Sequence, residues 1–502
     1  MGQEAKAGGV YAFYIEELKK YGAIQVIDTN NNSTCYITLD YLGEEVPQTS
    51  VLKNLEPFYK DCYCNRHIKV KQVIDRTDVP GNYIFAGIWP LVESDRDKAF
   101  FDDTWTQGEC YIFEERWNLA SEDARKNYKK YVNNVGFTNI KGKLFKNNAW
   151  CLDNELYKLF DENASLSVFP CLTSADICGY FPKLKNLIKT SPFLHSLKLD
   201  KPEAQTVDLT GTGLYNIATD ITGVKKLLLP EETFQLTIYG SLKEELVVYG
   251  NPVLKDKGII LHISLKDFNL PCIIYKDIKI RELWINDARE IDTGLIADKF
   301  PYIKKLYITG CPGIISNIHK IENLKSLQSV GFYDIFGYNG TDIQVLTTLK
   351  ELREIELDSV PKDAGRYVKE HFKGITDTLY VKNLRGSRWL SENIDNPLRS
   401  WDGSRYVPYE AYKKALKCYK DTKVFLNETE NSEDVAETAK QFTRTFNALN
   451  KKYREFIGTC EREDIFKAMG QLYNVCIQGT EKENWITLEE IWDIMDETRK
   501  NW

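Results

Sequence analysis

What most constrains this chain is a short apolar signature that returns at a nearly fixed interval. Ile280, Leu283 and Ile285 are followed by Ile303, Leu306 and Ile308, then Leu327, Val330 and Phe332, then Leu352, Ile355 and Leu357, with a weaker last copy in Leu379 and Val381. The central positions 283, 306, 330, 355 and 379 stand 23, 24, 25 and 24 residues apart. The last two apolar residues of each copy are two apart, so they share one face of a strand. One such unit cannot bury its apolar face alone and has to stack on its neighbours.

The form L-x-x-L-x-L at this period is that of a leucine-rich repeat. The same strand signature appears upstream at a shorter step, in Leu194-Leu197-Leu199, Val207-Leu209, Val224-Leu227-Leu229 and Leu246-Val248, with second strands such as Leu236-Ile238 and Ile273-Ile274. Residues 170–386 are expected to form a solenoid that begins with β-rich coils and ends with helix-bearing ones, as at Asp342 to Leu352.

The flanks differ in kind. Residues 1–115 alternate apolar strands with turn signals such as Asp28-Thr29-Asn30-Asn31, predicting a small β-rich domain. A helical connector over 116–169 starts at Ser121 as N-cap, with a second short helix from Asp153 to Phe160. Residues 387–408 have the Gly, Ser, Asn and Pro content of a linker. Over 409–502 the apolar positions Val435, Ala439, Phe442, Phe446, Leu449, Tyr453 and Phe456 mark one helix face, and Thr487 with Glu490 forms a capping box, predicting a helical bundle. The expected class is α+β multidomain: a β-rich N-terminal domain, a leucine-rich repeat solenoid and a C-terminal helical bundle.

Charge and chemistry narrow the function. Lys and Arg total 66 against 73 Asp and Glu, a net charge of −7, which argues against nucleic acid as partner because phosphate binding needs clustered cations. No run approaches the ~18 apolar residues of a membrane span, and no apolar leader opens the sequence, so a cytoplasmic protein with reduced thiols is expected. The five histidines form no metal motif; Cys62-x-Cys64 with His67 lacks the usual ligand gap and a second knuckle. Gly211-Thr212-Gly213 reads as a tight turn rather than a phosphate loop, and no nucleophile elbow or kinase signature is present. No metal, cofactor or catalytic residue is expected.

The stronger signal is a surface. Residues between the inward apolar positions project from the other, concave, face of the strands. They place Trp284, Tyr307, Tyr333 and Tyr380 on one face with the acidic trio Glu354, Glu356 and Asp358. Trp and Tyr dominate interface hot spots and carboxylates steer a basic partner, so these seven residues form the expected partner-binding site. A second candidate is the acidic segment 481–502 with Trp485, Trp492 and Trp502.

At the N-terminus, Gly9-Val10-Tyr11-Ala12-Phe13, Lys20-Tyr21-Gly22-Ala23-Ile24-Gln25-Val26, Leu39-Asp40-Tyr41 and Gly87-Ile88-Trp89-Pro90-Leu91 resemble the opening of bacterial immunity protein 26-like domains. The resemblance covers about a fifth of the chain and implies stoichiometric binding of a toxin without catalytic residues. The expectation is thus a non-enzymatic binding protein, an immunity protein in form, with a leucine-rich repeat scaffold or signalling adaptor that assembles other proteins as the alternative. Oligomeric state is not legible at this level.

Overall fold

The computed structural model describes residues 3–502 except 31–32, 61, 63–67, 93–98, 103–104, 107, 162–163, 180, 266–269, 394–395 and 501. Two compact units divide the chain, Met1–Leu384 and Arg385–Trp502.

The first unit opens with strands β1 (Gly9–Ile15), β2 (Lys20–Thr29), β3 (Thr34–Gly43), β4 (Lys71–Ile74), β5 (Ile84–Ile88) and β6 (Phe100–Asp102), in the sheet order β6-β4-β3-β2-β1-β5. Tyr11, Phe13, Ile24, Val26 and Tyr36 pack one buried cluster, and Val10, Ala23, Ile37 and Leu39 another, so β1, β2 and β3 bury both faces. Two helices follow, α1 (Glu109–Leu119) and α2 (Glu122–Asn133). The Ser121 hydroxyl accepts from the Ala124 amide, the cap expected there, whereas α1 begins inside the segment 1–115 expected to be strands and runs into the expected helical connector. The Tyr111 ring of α1 stands against Gly22, where an added Cβ would lie 2.6 Å from it.

An eleven-stranded parallel sheet carries the rest of the unit. Its strands are β7 (Cys151–Leu152), β8 (Ser174–Cys178), β9 (Ser196–Asp200), β11 (Asn216–Asp220), β13 (Gln235–Gly240), β15 (Ile259–Leu265), β17 (Ile280–Asp292), β18 (Lys305–Ser316), β19 (Ser329–Phe336), β20 (Glu354–Asp358) and β21 (Thr378–Lys382), side by side in chain order. Between β9 and β17 the chain alternates into a second parallel sheet of four short strands, β10 (Thr206–Asp208), β12 (Lys226–Leu228), β14 (Leu246–Tyr249) and β16 (Ile273–Lys276). Beyond β17 helical segments take their place, among them α3 (Thr293–Lys299) and α4 (Lys362–Phe372), with Asp342–Thr348 a 3-10 turn. One continuous apolar core runs the length of this sheet.

This arrangement corrects the expected class. The protein is mixed α/β, organised on a long parallel sheet with helices, and a leucine-rich repeat solenoid is not what it shows. The sheet starts at Cys151, inside the segment read as a helical connector, and shares one compact unit with the N-terminal strands. The physical reason is that a strand every 23 to 25 residues sets the spacing of parallel strands and nothing more. Parallel strands with short helical crossovers have the same period. The strand positions themselves agree: Leu283, Leu306, Val330, Ile355 and Leu379 are register partners on successive strands.

The second unit holds α5 (Tyr409–Glu428), α6 (Ser432–Lys452), α7 (Thr459–Cys476) and α8 (Leu488–Thr498). Val435, Ala439, Phe442, Phe446 and Leu449 of α6 are buried in its core, while Tyr453 and Phe456 lie past the helix end and pack only partly. The linker-like stretch is packed too: Leu398, Trp401 and Val407 join the core, and the Trp401 indole donates to Asp464 at 3.0 Å. Among the described residues, no helix is long and apolar enough to cross a membrane.

Candidate partner-binding face

Alternation along β15 to β21 sends Leu283, Ile285, Leu306, Ile308, Ile355 and Leu357 into the core and leaves the intervening residues on the opposite face. Register then decides which of these meet. His262, Trp284, Tyr307, Gly331, Glu356 and Tyr380 form one row across six strands, each the partner of the next. Glu282, Lys305, Ser329, Glu354 and Thr378 form the row below, and Thr309, Tyr333, Asp358 and Lys382 the row above. All seven residues expected to bind a partner are therefore on one face.

The rings stack as a ladder. The Trp284 and Tyr307 centroids are 4.1 Å apart and tilted by 12°, and His262 continues the stack at 5.4 Å and 8°. Tyr307 leans across the neighbouring strand, where a Cβ on Gly331 would lie 2.2 Å from its ring. Only glycine leaves that room, and Tyr307 is buried by it, 7% exposed. Trp284, Tyr333 and Tyr380 remain half-buried.

The acids are held from within the face. The Tyr333 hydroxyl donates to Glu356, and the Ser329 hydroxyl donates to Glu354, each through one carboxylate oxygen. Asp358 accepts from Tyr380 at 3.3 Å and from Asn383 at 2.8 Å. Burial first, then the Glu354 and Glu356 charges, push the Tyr307 phenol well above the ordinary tyrosine range. Burial and the hydrogen bond to Glu356 do the same for Tyr333. Both therefore stay protonated, and Tyr333 acts as the donor to Glu356. Lys305 pairs with Glu282 at 3.6 Å, and Lys382 sits over the Tyr380 ring at 4.5 Å. What this arrangement offers chemically is flat aromatic area with fixed carboxylates beside it.

Sequence reasoning missed His262, although Ile259, Leu261 and Ile263 carry the alternation that puts it on this face. It also missed Arg281. The register slips between Ile259–Ile280 and Ile260–Glu282, so Arg281 is the extra residue of a bulge. Its guanidinium is 2.8 Å from Glu17, in the turn between β1 and β2, and stands 3.5 Å from Glu282 through Nε, a charge contact without a hydrogen bond. Lys304 reaches Glu16 of the same turn at 3.4 Å.

The other sequence candidates fare differently. Cys64 and His67 lie outside the described residues, and among the described residues no group of three His, Cys, Asp or Glu is placed to hold a metal. Thr212 turns its hydroxyl onto the Leu209 carbonyl at 2.7 Å beside Gly211 at φ +67°, a tight turn. In 481–502, Trp502 is buried with its indole on Asn447, while Trp492 is 37% exposed. No family model matches this sequence, and no curated protein matches it.

Proposed function

We propose that the protein is a non-enzymatic binder of a basic polypeptide, which it grips on the β15–β21 face. The observation that carries this reading is the stacked row His262, Trp284 and Tyr307 running into Glu356 and Tyr380, with Glu354 and Asp358 alongside. Stacked rings lose little entropy when a partner covers them, and carboxylates anchored by neighbouring hydroxyls are already oriented for Lys or Arg side chains. Neutralisation of a toxin by occlusion, the form implied by the N-terminal resemblance, is the version of this activity we favour.

The test uses the full chain as bait in source-cell lysate, read by mass spectrometry. A single basic polypeptide should be retained in stoichiometric amount and released as salt rises. A folded Trp284→Ala/Tyr380→Ala variant should lose it. Equal retention by that variant would place the binding site elsewhere on the molecule.

A further inference from the structure

Helices α5 and α6 form an antiparallel hairpin whose inner side, with Ala415, Tyr419, Leu426, Ala439 and Phe446, fills the core of the second unit. Its other side is a groove of about 610 Å³ between the two helices. Cys418, Thr422, Phe425 and Phe442 line it, and the groove runs from Lys414 to Glu428, about 21 Å of helix at 1.5 Å per residue. Phe425, on the groove, is 60% exposed and offers a large apolar side chain to a partner.

The charges along the groove are ordered. Lys414 and Lys417 line one end, and Glu428, Asp434 and Glu437 line the other. Glu437 already pairs with Arg444 at 2.7 Å and Asp434 accepts from the Asn431 side chain at 2.8 Å, which leaves Glu428 as the acid facing the opening at that end. A basic end and an acidic end on one groove are self-complementary under a twofold axis across it, because each end then meets its opposite on the second copy. We propose that this groove is closed by a second copy of the same chain, the two hairpins packing antiparallel into a four-helix bundle. Phe425 of each copy enters the other's groove, and Lys417 of one copy faces Glu428 of the other. Asp421, near the middle of the groove, meets its own counterpart and opposes the association.

Sedimentation velocity on the full chain tests this over about 1 to 100 µM, the range in which association of this kind is concentration-dependent. A dimer is expected. Lys417→Glu and Glu428→Lys should each weaken it about tenfold, since each change acts twice in a symmetric interface, and the double variant should recover to within about threefold of the native chain. Asp421→Asn should tighten the dimer, and Phe425→Asp should abolish it. These side chains are exposed in one copy, so circular dichroism melts should match the native chain; if Phe425→Asp fails to fold, the charge swap decides alone. A chain that stays monomeric at the top of the range, or a dimer indifferent to the swap, overturns the proposal.

Discussion

His262 shows what a single residue on the aromatic row does for stability. Burial lowers its imidazole below the ordinary value of 6.5, with the Glu282 charge pulling weakly the other way. The folded chain thus binds fewer protons at this site than the unfolded chain in the window just below 6.5. Its contribution is complete above that value and is lost as pH falls through the window toward the lowered folded value. The urea midpoint should therefore drop between about pH 7.5 and 5.5, and His262→Phe, which keeps the stack on Trp284, should make that drop smaller. An unchanged drop would show that the ring is no more shielded from water than in the unfolded chain. His195 shifts the same way by burial, so the variant should leave part of the slope in place.

Elements of this protein begin and end on local chemistry. The Thr487 hydroxyl accepts from the Glu490 amide at 3.2 Å while the Glu490 carboxylate accepts from the Thr487 amide at 2.8 Å, which starts α8. Thr487→Ala should cost about 1 kcal/mol in an equilibrium melt, and Thr487→Ser much less, because serine keeps the acceptor. Strand ends in the large sheet work differently: Lys201, Ser359 and Asn383 directly follow β9, β20 and β21 at φ +44°, +54° and +47°. A left-handed residue there turns the chain out of the sheet, and of these three Asn tolerates it best. The Asn383 side chain is then the one that braces Asp358 on the partner-binding face.

At the scale of the molecule, the N-terminal sheet and the long parallel sheet are tied through the β1–β2 turn. Arg281 is 7% exposed and bridges Glu17 to Glu282 while its guanidinium covers the Phe234 ring at 5.3 Å. Nearby Arg116 of α1 lies 4.6 Å over Tyr215 and donates to the Gly213 carbonyl at 2.8 Å. Removing one partner of a buried pair strands the other charge, so Arg281→Ala should destabilise the first unit by about 3 to 5 kcal/mol, measured by urea denaturation. Replacing the pair by Arg281→Met with Glu17→Leu should recover part of that loss, since apolar packing avoids the desolvation cost of both ions while Glu282 keeps Lys305 as its partner. If the single variant melts like the native chain, the bridge contributes nothing to joining the two sheets.

The parts legible in the sequence are those written in nearest-neighbour spacing. The period of two within each L-x-x-L-x-L copy put Leu283, Leu306, Val330 and Ile355 inside and Trp284, Tyr307, Glu354 and Glu356 outside, because a strand has only two faces. The 4-and-3 spacing of α6 and the capping box of α8 were readable for the same reason. Only the tertiary structure decided the class, since strand spacing is shared by more than one parallel architecture. It also decided the pairing of Tyr333 with Glu356, the bulge that aims Arg281 at Glu17, and the ordered charges of the α5–α6 groove. Each of these depends on register or packing between separate strands or helices, and no local pattern in a sequence encodes which neighbour a side chain will meet.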